Sequence, residues 1–195
     1  MSENQQYQVQ TATYRLKKTV VMVGMMGAGK TAVGRALAQR LDVPFLDSDA
    51  EIESAANMTV PEIFERDGES FFRAKETQVI SRLLDEARGI LSTGGGAFLA
   101  QENRENITAR GVSVWLNADL DLLWQRVRHK DTRPLLRTAD PRATLQEIYA
   151  ARVPLYAMAD VEVASEPNLS IEQMVDRVIA TLLRDRADVL EMRDA

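Results

Sequence analysis

The sequence predicts an α/β domain, a five-stranded parallel sheet with helices on both faces and a small mobile lid. Three observations carry this. Short apolar runs rich in β-branched residues alternate with segments of helical periodicity, the pattern of a parallel sheet with crossover helices. The first apolar run, Thr19-Val20-Val21-Met22-Val23, leads into Gly24-Met25-Met26-Gly27-Ala28-Gly29-Lys30-Thr31, which satisfies G-x-x-x-x-G-K-[ST] at every fixed position. A polar stretch from His129 to Asp140, with little periodicity, interrupts the alternation and reads as the lid.

The elements follow in order. Thr19–Val23 reads as a buried strand and Lys30–Leu41 as the helix behind the glycine-rich loop. Pro44–Asp47 is a short second strand and Glu51–Ala56 a short helix. Thr59-Val60-Pro61-Glu62 has the form of a capping box with proline in the first turn, and Gly68 is its stop. Ser70–Ala87 is a long amphipathic helix with Phe72, Val79, Ile80, Leu83 and Leu84 on one stripe. Ile90–Thr93 is a third strand that runs into Gly94-Gly95-Gly96. Glu102–Arg110 is a helix ended by Gly111, and Val112–Leu116 is the clearest β run. Asp119–Arg128 is helical, Asp140-Pro141 restarts a helix through Arg152, and Val161–Ala164 is the fifth strand. Ser170–Arg186, opened by a Ser-x-x-Gln box, is the last helix. Residues 1–16 read as a flexible extension, and the charged tail beyond Asp185 as a helical extension or frayed end.

Composition narrows the chemistry. Of 195 residues, 45% are hydrophobic and 27% charged, ordinary for one globular domain. The net charge of −5 argues against nucleic acid as a partner. No cysteine is present, so thiolate nucleophiles and thiolate metal sites are excluded, and a cytoplasmic protein is expected. The single histidine, His129, leaves no histidine metal cluster. No apolar run is long enough to span a membrane, and the polar start lacks the apolar core of a signal peptide. The Asn-x-Ser/Thr sequons at Asn57, Asn106 and Asn168 are therefore accidental.

The motifs point to phosphate. Glycines at 24, 27 and 29 let consecutive N–H groups of Gly27, Ala28, Gly29, Lys30, Thr31 and Ala32 face an anion at a helix N-terminus. Lys30 supplies a point charge for the β- and γ-phosphates, and the Thr31 hydroxyl suits Mg²⁺. Strand ends gather ligands in such sheets. Asp47-Ser48-Asp49 follows the second strand with two carboxylates in period two, one to orient the hydration shell of Mg²⁺ and one to receive a substrate hydroxyl. Asp49 is equally well placed to cap the following helix. The triple glycine permits close backbone approach to a small ligand, or is only a turn. Arg73 and Glu76 can pair across one helical turn, and Phe72 beside Arg73 offers an apolar wall with a cation, suited to a cyclic carboxylate. Arg133, in Arg-Pro-Leu-Leu, is either a solvated loop residue or an arginine that a closing lid delivers to a migrating phosphoryl group. Arg152 stands near a helix end in Arg-Val-Pro-Leu-Tyr.

In order and spacing this constellation resembles the shikimate kinase family, from Gly24 to Tyr156. The phosphate loop alone is generic, whereas the triple glycine, Arg133-Pro134-Leu135-Leu136 and Arg152-Val153-Pro154-Leu155-Tyr156 are more specific. The resemblance implies a P-loop NTPase fold of the nucleoside monophosphate kinase type, with a kinase domain over 17–186, a lid about 127–140 and a tail from 187 to 195. It implies ATP-dependent phosphorylation of the 3-hydroxyl of shikimate, and a monomer is expected. It further implies that Asp49 binds shikimate hydroxyls and takes the proton, that Arg73 and Arg152 hold the carboxylate, and that Gly94, Gly95 and Gly96 meet the ring hydroxyls. Phe64 and Phe72 would line the ring, Thr31 and Asp47 ligate Mg²⁺, Arg133 touch phosphate, and Arg126, with Arg128 as the neighbouring alternative, stack on adenine. A gluconate kinase shares the loop and fold but not the paired arginines. A GTPase switch would carry Asn-Lys-x-Asp and Asp-x-x-Gly, which do not occur.

Overall fold

The computed structural model describes residues 14–130 and 134–193. In chain order the elements are β1 (Tyr14–Leu16), β2 (Thr19–Val23), α1 (Lys30–Leu41), β3 (Phe45–Asp47), α2 (Ser48–Ala56), α3 (Val60–Asp67), α4 (Glu69–Glu86) and β4 (Ile90–Ser92). They continue as α5 (Gln101–Arg110), β5 (Gly111–Asn117), α6 (Leu120–Val127), α7 (Pro141–Tyr156), β6 (Val161–Ala164), α8 (Ile171–Asp185) and β7 (Leu190–Met192). Single turns of 3₁₀ helix occur at Ala97–Leu99 and Pro134–Leu136.

Five strands form one sheet in the order β3-β4-β2-β5-β6, every neighbouring pair parallel. β2 and β4 are buried along their whole length. That is why these strands read as continuous apolar runs rather than alternating ones. From β2 the chain crosses to β3, and from β4 it crosses the other way to β5. Two adjacent strands thus release their loops in opposite directions at one sheet edge, the position at which α/β sheets take ligands.

Helix starts follow the capping signals. Thr59 and Glu62 form a reciprocal capping box on α3, Ser170 and Gln173 do so on α8, and Asp119 and Asp140 cap α6 and α7. α2 begins at Ser48, earlier than periodicity suggests, and Asp47 is its cap through Ala50 N at 3.1 Å. The capping role therefore falls to Asp47, and Asp49 sits in the first turn with its side chain available for other purposes.

Residues 14–16 of the expected extension and 190–192 of the expected tail form strands, while residues 1–13 and 194–195 lie outside the described residues. β1 and β7 pair antiparallel, with Arg15 opposite Glu191, and Lys17 N donates to Val189 O at 2.7 Å. Val189 and Leu190 are buried (0% and 1% exposed), so apolar contact rather than the surrounding charge draws the tail onto the domain. α7 runs to Tyr156, past Pro154, instead of ending near Arg152. Among the described residues no helix is long and apolar enough to cross a membrane.

Candidate active site

Two adjoining cavities open at the carboxyl ends of β2, β3 and β4. The larger, about 500 Å³, is walled by the glycine-rich loop, Asp47, Ser92, Arg126 and Lys130, and closes at the far end on Ser165, Leu169, Ile171 and Met174. The smaller, about 180 Å³, is walled by Val60, Phe64, Phe72, Arg73, Glu76, Leu135 and Arg152. Met26, Asp49, Gly94 and Gly95 line both.

The larger cavity is built from backbone. Gly27 and Gly29 hold φ of 81° and 94°, the left-handed region that glycine enters without steric cost. Gly29 caps α1 with no side-chain acceptor, and the first turn of α1 carries no acidic residue. α2, α3, α6, α7 and α8 all satisfy a first-turn N–H with a side-chain oxygen. α1 instead turns its N–H groups and positive dipole end toward the cavity, and residues 27–32 all line it. Lys30 Nζ arches back over the loop and donates to Gly24 O at 2.7 Å and Met25 O at 2.9 Å. Thr31 Oγ1 lies 3.3 Å from Ser92 Oγ, so a strand-end hydroxyl supports it. Arg126 reaches from α6 to Gly27 O at 3.1 Å and Ser165 Oγ at 3.4 Å. Burial lowers the pKa of its guanidinium. It bridges the phosphate loop and the Ser165 wall, while Arg128 is exposed and lines neither cavity.

The smaller cavity is built from side chains. Phe72 packs with Ile52 and Ile63 in a separate apolar cluster, and the Phe64 and Phe72 rings lie 4.7 Å apart. The Arg73 guanidinium sits 5.3 Å from the Phe72 ring centroid and 5.9 Å from that of Phe64. It donates to Glu76 Oε1 at 2.9 Å, and Glu76 is 1% exposed rather than a surface partner. Burial raises the pKa of the Glu76 carboxyl, against the pull of the Arg73 charge.

The triple glycine is where the charges converge. A Cβ on Gly94 would stand 2.9 Å from Asp49 Oδ1, one on Gly95 3.2 Å from Arg152 Nη1, and one on Gly96 2.5 Å from Arg73 Nη2. Each glycine thus leaves room for one charged side chain. Asp49 is the hinge of the arrangement. Its Oδ1 is buried without a hydrogen-bond partner, and burial pushes its carboxyl up to about 6. The Asp47 charge adds to that rise and the Lys30 charge opposes it.

Of the residues assigned a binding or catalytic role from the sequence, all the described ones line one cavity or both, whereas Arg128, the alternative to Arg126, lines neither. Arg133 lies outside the described residues. Sequence reasoning missed Ser92, Met26, Val60 and Leu135 as lining residues, and gave Tyr156 no role although it quoted the motif. The strand-end rule applied to β4 would have found Ser92. Leu135 follows, two positions on in the sequence, an arginine already singled out.

The pattern of the Shikimate kinase family matches residues 26–183. The chain is 75% identical over 177 residues to a shikimate kinase of Ruegeria pomeroyi, covering 91% of this chain and 90% of that one. It is 65% identical to a shikimate kinase of Cereibacter sphaeroides, over 91% of this chain and 88% of that one. A solved shikimate kinase from Acinetobacter baumannii, in complex with shikimate, matches with a TM-score of 0.80 at 38% identity, over 87% and 95% of the two chains. A gluconokinase from Sinorhizobium meliloti, at 18% identity and a TM-score of 0.58 over 87% and 94%, shares the fold.

Proposed function

The chain belongs to the shikimate kinase family, and from that premise we infer that it transfers the γ-phosphoryl group of ATP to the 3-hydroxyl of shikimate. The products are shikimate 3-phosphate and ADP, in the route to chorismate and the aromatic amino acids. The observation that carries this reading is Asp49, a carboxylate with a buried unpartnered oxygen at the seam between an anion cradle and a small polar-apolar cavity.

The residues divide the task. ATP enters the larger cavity with its phosphates on the N–H groups of Gly27 to Ala32 and on Lys30, and its base between Arg126 and the Ser165–Met174 wall. Thr31 and Asp47 present a hydroxyl and one carboxylate to that cavity, hard oxygen donors few enough for a cation that keeps its waters. They fit Mg²⁺, Asp47 through water. When bound, Mg²⁺ neutralises charge on the β- and γ-phosphates.

Shikimate fits the smaller cavity with its carboxylate on Arg73 and Arg152, which offer planar donor forks. Phe64 and Phe72 cover the ring, and Gly94 to Gly96 meet its hydroxyls. Asp49 accepts the proton as the hydroxyl oxygen bonds to phosphorus and the bond to ADP breaks. A carboxyl raised to about 6 is a better base than an ordinary aspartate and is still mostly ionised at neutral pH. Arg133 is assigned the migrating phosphoryl, consistent with Leu135, two residues on, lining the acceptor cavity. All of these groups come from one chain, so a monomer carries a complete site, and we place it in the cytoplasm with its ATP. The test is coupled ADP release over shikimate, gluconate, nucleoside monophosphates and water. Release with shikimate alone is expected, and its absence with shikimate would end this reading.

A further inference from the structure

Tyr156 closes α7 and is wholly buried (0% exposed), yet it carries a hydroxyl to the backbone of Gly95, which lines the acceptor cavity. A buried phenol needs a partner, and it donates to the Gly95 carbonyl. The Arg152 guanidinium stands against the same glycine. Arg152 and Tyr156 stand four residues apart on α7, so their side chains leave the same helix face. The ring is held from behind by Trp115 of β5, stacked at 6.3 Å between centroids and 28° between planes. Gly95 approaches so closely that a Cβ there would stand 3.2 Å from Arg152 Nη1 and 4.0 Å from the phenol oxygen.

We propose that Tyr156 is a positioning residue, which holds the Gly95 backbone against the Arg152 guanidinium and so sets the affinity for the carboxylate of the acceptor. This rests on the assignment of Arg152 to that carboxylate. A phenylalanine would fill the same space and stack on Trp115 equally well, so packing does not account for the hydroxyl. Arginine has many rotamers, and fixing its fork before the ligand arrives removes an ordering cost from binding. The bond from Tyr156 to Gly95 also holds the glycine loop and the guanidinium in register, so the carboxylate and ring hydroxyls are met at a set separation.

Tyr156→Phe is the test, read by calorimetry and steady-state kinetics. Shikimate Kd and KM are expected to rise about tenfold, the loss of one buried hydrogen bond. KM for ATP and kcat at saturating shikimate should stay within about twofold, as expected when only uniform acceptor binding is lost. In an Arg152→Ala background, Tyr156→Phe should add less than about twofold, since coupled residues are non-additive. Unchanged shikimate affinity in Tyr156→Phe, an equal loss for both substrates, or an additive loss in the double variant would each overturn the proposal. Normal shikimate affinity in Arg152→Ala would instead remove its premise, a failure seen without touching Tyr156. Should Tyr156→Phe not fold, 3-fluorotyrosine at 156 keeps the hydroxyl but alters its strength as a donor. A smaller shift in shikimate Kd, with ATP unaffected, is then expected, and no shift overturns the proposal.

Discussion

The two halves of the site are made of different material. The proposed donor cavity, about 500 Å³, is centred on the backbone of one stretch, residues 26–33, whose N–H groups need no particular neighbours. The acceptor cavity, about 180 Å³, is shaped by Asp49, Arg73, Gly94–Gly96 and Arg152, which come from four separate segments. A local cradle serves any triphosphate. A convergence of charges has one geometry and one small set of ligands, and loses it when any member shifts. On the proposed assignment, specificity belongs to the smaller half.

Asp49 belongs to both halves, so its removal should have the largest effect. Asp49→Asn keeps the size and loses the proton acceptor, and kcat should fall about 10²- to 10⁴-fold while KM for ATP is preserved. Near-normal turnover would show that the seam carries no chemistry. The same variant has a second consequence in the metal-free, ligand-free protein. The native carboxyl is raised from 3.8 to about 6, so the native state binds the proton more tightly than the unfolded chain. Stability contributed by this group therefore falls as pH rises from 3.8 to about 6, and the cost persists above that. Asp49→Asn removes the cost, which is about 3 kcal/mol, and Tm should rise by roughly 6–12 °C at pH 7.5. The gain should vanish toward pH 4. A variant less stable than the parent at pH 7.5 would contradict the burial of this carboxylate.

A smaller effect tests convergence alone. Gly96 touches only the acceptor cavity, and a Cβ there would stand 2.5 Å from Arg73 Nη2 and 2.8 Å from its Cζ. Gly96→Ala should push the guanidinium aside and raise shikimate KM about tenfold, with KM for ATP unchanged, as for the loss of one charge-assisted contact. If both constants moved together, the halves would not be separable in the way the cavities suggest.

Legibility in the sequence divides along the same line. Lys30–Leu41 and Val161–Ala164 were readable to the residue, because a loop motif, glycine or proline punctuation and local periodicity mark both ends. The stretch of residues 27–32 that lines the larger cavity was readable for the same reason. The charged residues of the acceptor half could be pointed to by type and by family resemblance, but not their partners. Nothing local tells that Gly94 faces Asp49, Gly95 faces Arg152 and Gly96 faces Arg73, because each pairing is made by the fold. Tyr156 was invisible as a link for that reason. Pro154 also made α7 seem to end early, since proline removes a helical N–H, yet side-chain anchoring carries the helix on. The pairing of β1 with β7 was unreadable because two three-residue strands at opposite chain ends carry no local signal of each other.

That clasp supplies the control for the comparison. β1 leads into the first residue of β2, whereas the phosphate loop leaves β2 at its last, so the clasp and the site occupy opposite ends of the sheet. Leu190 is its buried anchor, at 1% exposed. Leu190→Ala should cost about 2 kcal/mol by leaving unfilled space beneath a short strand, lowering Tm by roughly 4–8 °C. The salt bridges around it, Lys17–Glu191 and Lys18–Asp188, lie at the surface and would not offset the loss. Because neither cavity is lined by β1 or β7, kcat and both KM values should be unchanged at a temperature well below the new midpoint. A shift in shikimate KM with ATP unaffected would mean that the acceptor half is coupled to the chain ends. A shift in ATP KM alone would place that coupling in β2 and the cradle it leads into.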